Sequence, residues 1–217
     1  MKKEKFIHAL ENASHLNLIG PIHSSIVPNK IKKAPLLFVD GGLDFKNQLS
    51  SKLLDVPTLS IGDGDSSSPV LELDLTYPRD KDQTDLQLAM EMLPQGLKVE
   101  AWGFSGERLD HYLANIGEFQ KHSLLKKSLC VLDDQILFLP PGQFHLNYEG
   151  TFSLLSSRST EIKLNGELKY PLEELFSVEP LSGRTVSNEA FGDFLVESTQ
   201  GIMIIPVDKS CSDLKLR

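Results

Sequence analysis

The amino-acid sequence predicts an α/β protein, with a mostly parallel, Rossmann-like α/β domain over residues 1–128 and an antiparallel β-sandwich domain over residues 129–217. In the first region, buried apolar runs typical of strands alternate with segments whose apolar residues recur at helical spacing, and this alternation favours a parallel sheet. After about residue 128, short strand-like runs follow one another with turn residues between them, as in antiparallel sandwiches and barrels.

Four runs of apolar or alternating residues in the first region predict strands. They are PLLFVD (35–40), TLSIG (58–62), VLELDL (70–75) and KVEAWGF (98–104). The third run alternates apolar and acidic residues, so we expect a strand with one face in solvent.

Two segments of the first region predict helices. In TDLQLAMEML (84–93), apolar residues fall at i, i+3, i+4 and i+7 and therefore share one face, and Asp82 or Thr84 can cap the N-terminus. The second segment is LDHYLANIGEFQ (109–120). The residues of this segment that we expect to face the interior are Leu109, Leu113 and Ile116.

The second region is divided by turn signals. Asn165-Gly166 lies between EIKL and ELKY and is a strong hairpin signal. Glu149-Gly150 separates FHLNY from TFSLLS and predicts another turn, and Gln200-Gly201 connects DFLVES with GIMIIPV. A single helical turn in PLEELF (171–176) is the only helical element that we expect here.

Composition excludes several classes of partner. The chain has 217 residues and a net charge of −8, which argues against nonspecific binding to nucleic acid or to an anionic membrane. The N-terminal residues lack the apolar core of a signal peptide, and no apolar run approaches the roughly 18 residues of a membrane span. The two cysteines do not make a disulfide framework. We therefore expect a soluble cytoplasmic protein without nucleic-acid or membrane partners.

Polar clusters follow the predicted strands of the first region. Ligands of open α/β sheets bind beyond the carboxyl ends of the strands, so we expect these clusters at one edge of the sheet. They are Asp40-Gly41-Gly42, Asp63-Gly64-Asp65-Ser66, Arg79-Asp80-Lys81-Asp82 with Thr84-Asp85, and Gly106-Glu107-Arg108 with Asp110-His111. Their common placement predicts a single site.

The residue types in these clusters suit phosphate and a hard cation. Asp63 and Asp65 point to the same side of an extended backbone, and carboxylates with no His or Cys nearby suit Mg²⁺ bound together with substrate phosphates. Arg108 precedes a helix N-terminus, where phosphate binds readily. Each signal has a simpler explanation: an Asp/Gly/Ser surface turn, a solvated loop around Lys81, and a packing or capping role for His111.

Four motifs, DGG, IGDGDS, KDQTDLQLA and GERLDHYLANI, occur in an order and at intervals that resemble the thiamine pyrophosphokinases. In the second region, FSLLS, GELKYPL and TVSNEAFG resemble the β-domain of that family, so the similarity runs from about Leu16 almost to the end. The resemblance implies transfer of a pyrophosphoryl group from ATP to the hydroxyethyl oxygen of thiamine, giving thiamine diphosphate and AMP. It also implies an α/β catalytic domain, a thiamine-binding β-sandwich domain and a homodimer with sites near the subunit interface.

The resemblance also implies roles for individual residues, by matching motif position. Asp63, Asp65 and Asp85 would hold Mg²⁺ with the ATP phosphates and would form the catalytic group together with Arg108. The residues implied to line the nucleotide site are Asp40, Lys81, Asp82, Thr84, Arg108, Asp110 and His111. In the β-domain, Ser187 and Asn188 would contact thiamine.

The chain departs from the usual family pattern at Gly64, where a bulky apolar residue is common, and at Thr58, where an aspartate is common. Two alternatives therefore remain open: a related diphosphokinase that acts on a pterin or another alcohol, and a thiamine- or nucleotide-binding protein without turnover. The TVSNEA segment favours thiamine over a pterin. No aromatic partner for the thiamine ring can be named, since the single tryptophan, Trp102, is expected in a core strand.

Overall fold

The computed structural model describes residues 2–50, 53, 55–65 and 72–217, and the chain divides into two compact units, Met1–Glu118 and Phe119–Arg217. The first unit contains parallel strands with helices, and the second is built from antiparallel strands. This confirms the mixed α/β class and the change from parallel to antiparallel strands. The predicted boundary after residue 128 lies further along the chain than the division between these units, and the domain arrangement stays a prediction.

The strands described in the first unit form a parallel sheet. They are β1 (His15–Ile19), β2 (Leu36–Val39), β3 (Thr58–Gly62), β4 (Leu75–Thr76) and β5 (Lys98–Trp102). The order across the sheet is β5-β1-β2-β3-β4, so the chain builds outward from β1 and then returns to the other side of β1 for β5. This reversal creates a topological switch point between β1 and β5, which is where open α/β sheets bind ligands.

The predicted strand over residues 70–75 is largely wrong in the part that can be compared. Its first two residues lie outside the described residues, and the ladder with β3 begins only at Leu75. Before that point, side chains replace the ladder: Asp74 Oδ2 accepts from the Ser60 N–H at 3.0 Å, and the Asp74 N–H donates to Ser60 Oγ at 2.9 Å. Acidic and hydroxyl side chains compete with backbone pairing in this way.

Two helices of the first unit lie before and between these strands along the chain: one precedes β1, and the other lies between β4 and β5. Helix α1 (Lys2–Glu11), which the sequence did not predict, buries Phe6 and Leu10. Helix α2 (Asp85–Glu91) is capped by Thr84, whose Oγ1 accepts from the Gln87 N–H while Gln87 Oε1 accepts from the Thr84 N–H. The apolar residues predicted for its inner face are buried, as expected: Leu86, Ala89, Met90 and Leu93. None of the helices in the described residues is long and apolar enough to cross a membrane.

In helix α3 (Leu109–Lys126), two of the three residues expected to face the interior are exposed, and the third, Ile116, is partly buried. Leu109 is 66% exposed and Leu113 56% exposed, and the buried residues of this helix are Phe119, Gln120, His122 and Ser123. The face that is covered includes polar residues with partners, as shown by Asn115 Nδ2, which donates to the Phe104 carbonyl at 3.0 Å. Apolar periodicity could not reveal a face whose burial depends on hydrogen bonding.

The second unit consists mainly of antiparallel strands. They are β6 (Cys130–Leu132), β7 (Ile136–Leu139), β8 (Gly142–Leu155), β9 (Thr160–Leu168), β10 (Leu172–Val178), β11 (Asn188–Ser198), β12 (Ile202–Pro206) and β13 (Lys215–Leu216). Their hydrogen-bonded order is β10-β9-β11-β8-β12-β7-β6, and β13 pairs with β8. The inward side chains form one apolar core, in which the rings of Phe152 and Phe194 stack at 5.2 Å. Antiparallel pairing is confirmed, and the two-layer sandwich stays a prediction.

Three local predictions in the second unit are wrong. Asn165-Gly166 lies within β9 and Glu149-Gly150 lies within β8, so neither pair turns the chain. Both glycines have positive φ, and a Cβ on Gly166 would lie 2.5 Å from the Asp193 carbonyl oxygen. Glycine within a strand often marks a bulge or a site where another backbone approaches closely, and these two glycines have that role. In PLEELF, residues 172–176 belong to strand β10, with no helical turn.

Candidate functional site

Two strands of the first unit end in aspartates at the same edge of the sheet. Asp40 directly follows β2, and Asp63 directly follows β3. Asp40 has a left-handed backbone (φ 52°), which allows the chain to turn sharply into a 3₁₀-helical segment, Asp40–Gln48. Within this turn, a Cβ on Gly42 would lie 2.2 Å from the Ile19 carbonyl oxygen, so only glycine fits.

A third carboxylate and a lysine complete this cluster. Carboxylate oxygens of Asp40, Asp63 and Asp85 all lie within 4.8 Å of one another, with Asp85 supplied by the first turn of α2. Lys81 Nζ lies 3.3 Å from Asp63 Oδ2 and 3.1 Å from Asp85 Oδ1. The side chains of Lys81, Asp63 and Asp85 are only 13–14% exposed. We call Asp40, Asp63, Lys81 and Asp85 the acidic cluster.

The acidic cluster shifts the titration of its own members. Desolvation raises the pKa of Asp85. The charges of Asp63 and Asp65 raise it further, whereas the contact with Lys81 lowers it. Desolvation also acts on Asp63, but hydrogen bonds from the Asp65 N–H and from Lys81 outweigh it and lower the pKa of Asp63. Although desolvation opposes ionisation of Lys81, its contacts with Asp85 and Asp63 raise the pKa of Lys81. The lysine is therefore held as a cation between the carboxylates.

The three carboxylates suit a magnesium ion. Ligands of Mg²⁺ lie about 2.1 Å from the ion, so opposite ligands are about 4.2 Å apart. The three oxygens lie within 4.8 Å of one another, which is compatible with that spacing, and an all-oxygen donor set is the one that Mg²⁺ prefers. The ammonium of Lys81 shows that this position already stabilises positive charge.

The structure groups the predicted metal ligands differently from the sequence motif. Asp40 joins Asp63 and Asp85, whereas Asp65 is exposed and stands beside the group of three. The Asp65 N–H donates to Asp63 Oδ1 at 3.1 Å, and the intervening Gly64 has a left-handed backbone (φ 79°). Asp65 is therefore close enough to act on the cluster electrostatically, although its carboxylate is not one of the three that lie within 4.8 Å of one another.

A cavity of about 410 Å³ lies at the switch point between β1 and β5. Its lining includes Ile22, Phe104, Arg108, His111, Tyr112 and Asn115. The two loops at its base approach closely: a Cβ on Gly20 would lie 2.5 Å from the Gly103 carbonyl oxygen. Two of the predicted nucleotide residues, Arg108 and His111, therefore line one cavity at the ligand-binding edge of the sheet.

Three other predicted residues of the first unit, Asp82, Thr84 and Asp110, are not among those that line this cavity. Arg108 Nη2 donates to Asp110 Oδ2 at 2.6 Å, and this exposed pair lowers the pKa of Asp110 through the hydrogen bond from Arg108. Asp82 is exposed in the loop before α2, and Thr84 serves as the N-cap of that helix. The capping role accounts for Thr84 without any ligand.

Ser187 and Asn188 lie beside a separate pocket in the second unit. Asn188 lines a cavity of about 400 Å³, and Ser187 is exposed with a left-handed backbone (φ 57°). The same cavity is lined by Tyr170, a residue that is 59% exposed, and by Arg184. Tyr170 was missed as a candidate because its segment, GELKYPL, does not show that the ring is left uncovered.

Comparison with known proteins confirms the resemblance to thiamine pyrophosphokinases. Thiamine pyrophosphokinase of Bacillus subtilis (strain 168) is 30% identical over 54% of this chain, and the match spans 62% of that relative's length. The crystal structure of thiamine pyrophosphokinase from Bacillus subtilis matches with a TM-score of 0.69 at 22% identity, covering 90% of this chain and 100% of that chain. Thiamin pyrophosphokinase from Candida albicans matches with a TM-score of 0.65 at 16% identity, covering 93% and 91%. No family model matches the chain.

Proposed function

We propose that this chain is a thiamine pyrophosphokinase, which transfers the pyrophosphoryl group of ATP to thiamine and releases AMP. The acidic cluster carries the proposal, because three of the four motifs that resemble the family supply its residues. The sequence relative from Bacillus subtilis, itself named thiamine pyrophosphokinase, supports the same activity.

In the proposed reaction, the hydroxyl group of thiamine releases its proton and its oxygen bonds to the β-phosphorus of ATP. The bond from the β-phosphorus to the oxygen that bridges to the α-phosphate breaks, and AMP leaves with that oxygen. Such transfers depend on positioning and on neutralising charge more than on covalent help from the protein. The residues of this chain would therefore act by binding and orienting phosphates.

Asp40, Asp63 and Asp85 are the residues that would hold Mg²⁺, with Asp65 beside them as the further ligand implied by the motif. When bound, the ion would neutralise phosphate charge and orient the polyphosphate. Lys81 offers a second positive charge at the same place, and its two carboxylate partners fix its ammonium group. Its positive charge would also face phosphate oxygens that enter this edge.

The cavity at the switch point suits the nucleotide. Its apolar wall, which includes Ile22 and Phe104, fits a base, and Arg108 offers a planar guanidinium that can bind phosphate oxygens in a bidentate manner. Asp110 holds that guanidinium in place in this conformation. We assign His111 to the same nucleotide site because it lines the same cavity.

We assign thiamine to the pocket of the second unit. Thiamine is a planar organic cation, and the exposed ring of Tyr170 offers a surface on which a planar cation can stack. Ser187, which is exposed, lies between Val186 and Asn188, two residues that line this pocket. We further propose a homodimer, as the resemblance implies, and a cytoplasmic location, since both cysteines are buried free thiols.

Product analysis tests the proposed function. Purified protein is incubated with Mg²⁺, ATP and thiamine, and AMP and thiamine diphosphate are measured together, with Asp63→Asn as the variant expected to lose turnover. We expect equal amounts of both products. AMP without thiamine diphosphate would point to another acceptor, such as a pterin alcohol, or to hydrolysis. If no AMP forms while thiamine still binds in calorimetry, the chain is a binding protein and the proposal is wrong.

A further inference from the structure

The side chain of Asn188 is buried and already committed to partners. Only 5% of the residue is exposed. Its Oδ1 accepts from the Tyr170 N–H at 3.1 Å and from the Glu189 N–H at 2.8 Å, which occupies both lone pairs. Its Nδ2 donates to the Tyr170 carbonyl at 2.8 Å. Apart from the second hydrogen of Nδ2, the hydrogen-bonding groups of the Asn188 side chain are therefore committed to the protein, although the motif resemblance implies contact with thiamine.

Both hydrogen bonds to Tyr170 involve backbone atoms of that one residue. Tyr170 lies in the connection between β9 and β10, where none of the described strands supplies a ladder partner, and the amide of Asn188 takes that place. The preceding residue is fastened as well: the Lys169 N–H donates to the Glu189 carbonyl at 2.9 Å, and Lys169 Nζ pairs with Glu189 Oε2 at 3.1 Å. The connection is thus anchored to the first residues of β11.

The anchored residue presents its ring to the pocket. Tyr170 and Asn188 both line the 400 Å³ cavity, yet the tyrosine is largely exposed and the asparagine is buried beneath its backbone. The exposed ring lies on a connection, with Lys169 Nζ 5.7 Å from its centroid, and its direction depends on the backbone beneath it. A ring fixed before the ligand arrives costs less ordering on binding.

We propose that Asn188 is a positioning residue, which fixes the backbone of Tyr170 so that the ring is ready to stack against a planar organic cation. This inference rests on the proposed function, which supplies thiamine as the cation. Asn188 acts through Tyr170 and does not touch the ligand. Its contribution should consequently disappear when the tyrosine ring is absent.

The test measures thiamine binding by calorimetry and the KM values for thiamine and ATP. Asn188→Asp keeps the acceptor but replaces the N–H donor, and Asn188→Ser provides a second variant in case the buried charge of the first prevents folding. We expect either variant to weaken thiamine binding about tenfold and to raise the KM for thiamine without raising that for ATP. Asn147→Ala is the matched control. Asn147 Nδ2 donates to Asp193 Oδ1 at 2.7 Å, and neither residue lines this pocket.

A double-mutant cycle separates positioning from direct contact. Tyr170→Leu should weaken thiamine binding, and adding Asn188→Ser to it should change the Kd less than twofold, because the two residues act as one unit. Hydrogen exchange at the Tyr170 amide should quicken in Asn188→Ser, since its acceptor is lost. Additive effects, or an unchanged thiamine Kd in both Asn188 variants, would overturn the inference. Absence of thiamine binding by the wild-type protein would instead refute the proposed function, and the role of the pair with it.

Discussion

The lysine of the acidic cluster allows a direct test of how the cluster is stabilised. Lys81 Nζ lies 3.3 Å from Asp63 and 3.1 Å from Asp85, and all three side chains are 13–14% exposed. At an effective dielectric constant of about 20, each contact is worth about 5 kcal/mol of attraction, most of which is offset by desolvation. Lys81→Met removes the attraction and leaves three carboxylates facing one another.

We expect Lys81→Met to lower the free energy of unfolding by about 3 kcal/mol, the low end for a broken buried ion pair, because the remaining exposure lets water screen the carboxylates. In a chain of this size, that loss corresponds to a fall in Tm of roughly 6–12 °C. The assay is thermal unfolding in the presence of a chelator. Lys2→Met is the matched control: Lys2 pairs with Asp74 at 2.6 Å but is 56% exposed, so the expected loss is at most about 1 kcal/mol.

Mg²⁺ provides the second half of this test. Without its lysine, the cluster carries more negative charge, so Mg²⁺ should raise the Tm of Lys81→Met by more than it raises the Tm of the wild-type protein. The Lys2→Met protein should respond to Mg²⁺ like the wild type. A Lys81→Met protein that unfolds at the wild-type temperature, or that responds to Mg²⁺ no more than the wild type, would refute the reasoning.

Three other predictions test the site and its supports. Asp40→Asn should reduce Mg²⁺-dependent turnover more than Asp65→Asn, because Asp40 belongs to the group of three carboxylates and Asp65 does not; a titration of rate against Mg²⁺ compares them, and the opposite order would contradict the grouping. Burial lowers the pKa of His122 from its ordinary value of 6.5 to about 4. Between these two pH values the histidine is protonated in the unfolded chain but not in the folded one, so stability is lost as the pH falls from 6.5 towards 4. Urea unfolding should show a loss of about 2 kcal/mol between pH 7 and pH 5 that is absent in His122→Leu. Thr84→Ala should cost about 1 kcal/mol by removing the cap of α2, whereas Thr84→Ser should retain most of it in the same assay.

The sequence predicted the elements of the first unit wherever local pattern and burial agree. β2, β3 and β5 are short apolar runs that stop at Gly or Asp, and α2 has both a cap and a regular apolar face. The edge at which Asp40 and Asp63 meet follows from parallel strands alone, so the sequence could also predict that they lie close together. Local signals were sufficient there because each one pointed to the same structure.

The errors arise where tertiary contacts decide the outcome. The covered face of α3 includes Asn115, which is drawn inward by a hydrogen bond to Phe104, and apolar spacing cannot show this. Gly150 and Gly166 signal turns in isolation, yet long-range pairing with β11 keeps both in strands. Tyr170 became a candidate only once the structure showed its ring uncovered above a buried Asn188.

Gly64 and the position of Asp65 have one physical cause. Gly64 adopts φ 79°, a region that costs other L-residues about 1–2 kcal/mol. Among the described residues, an added Cβ would come no nearer than 4.0 Å, to Leu73, so with respect to these residues backbone strain rather than crowding opposes a larger side chain. In this turn the Asp65 N–H bonds Asp63 and the Asp65 side chain remains exposed. A bulky residue, as the family pattern has here, favours negative φ and therefore a different direction for Asp65. The glycine therefore permits the turn in which the Asp65 N–H bonds Asp63.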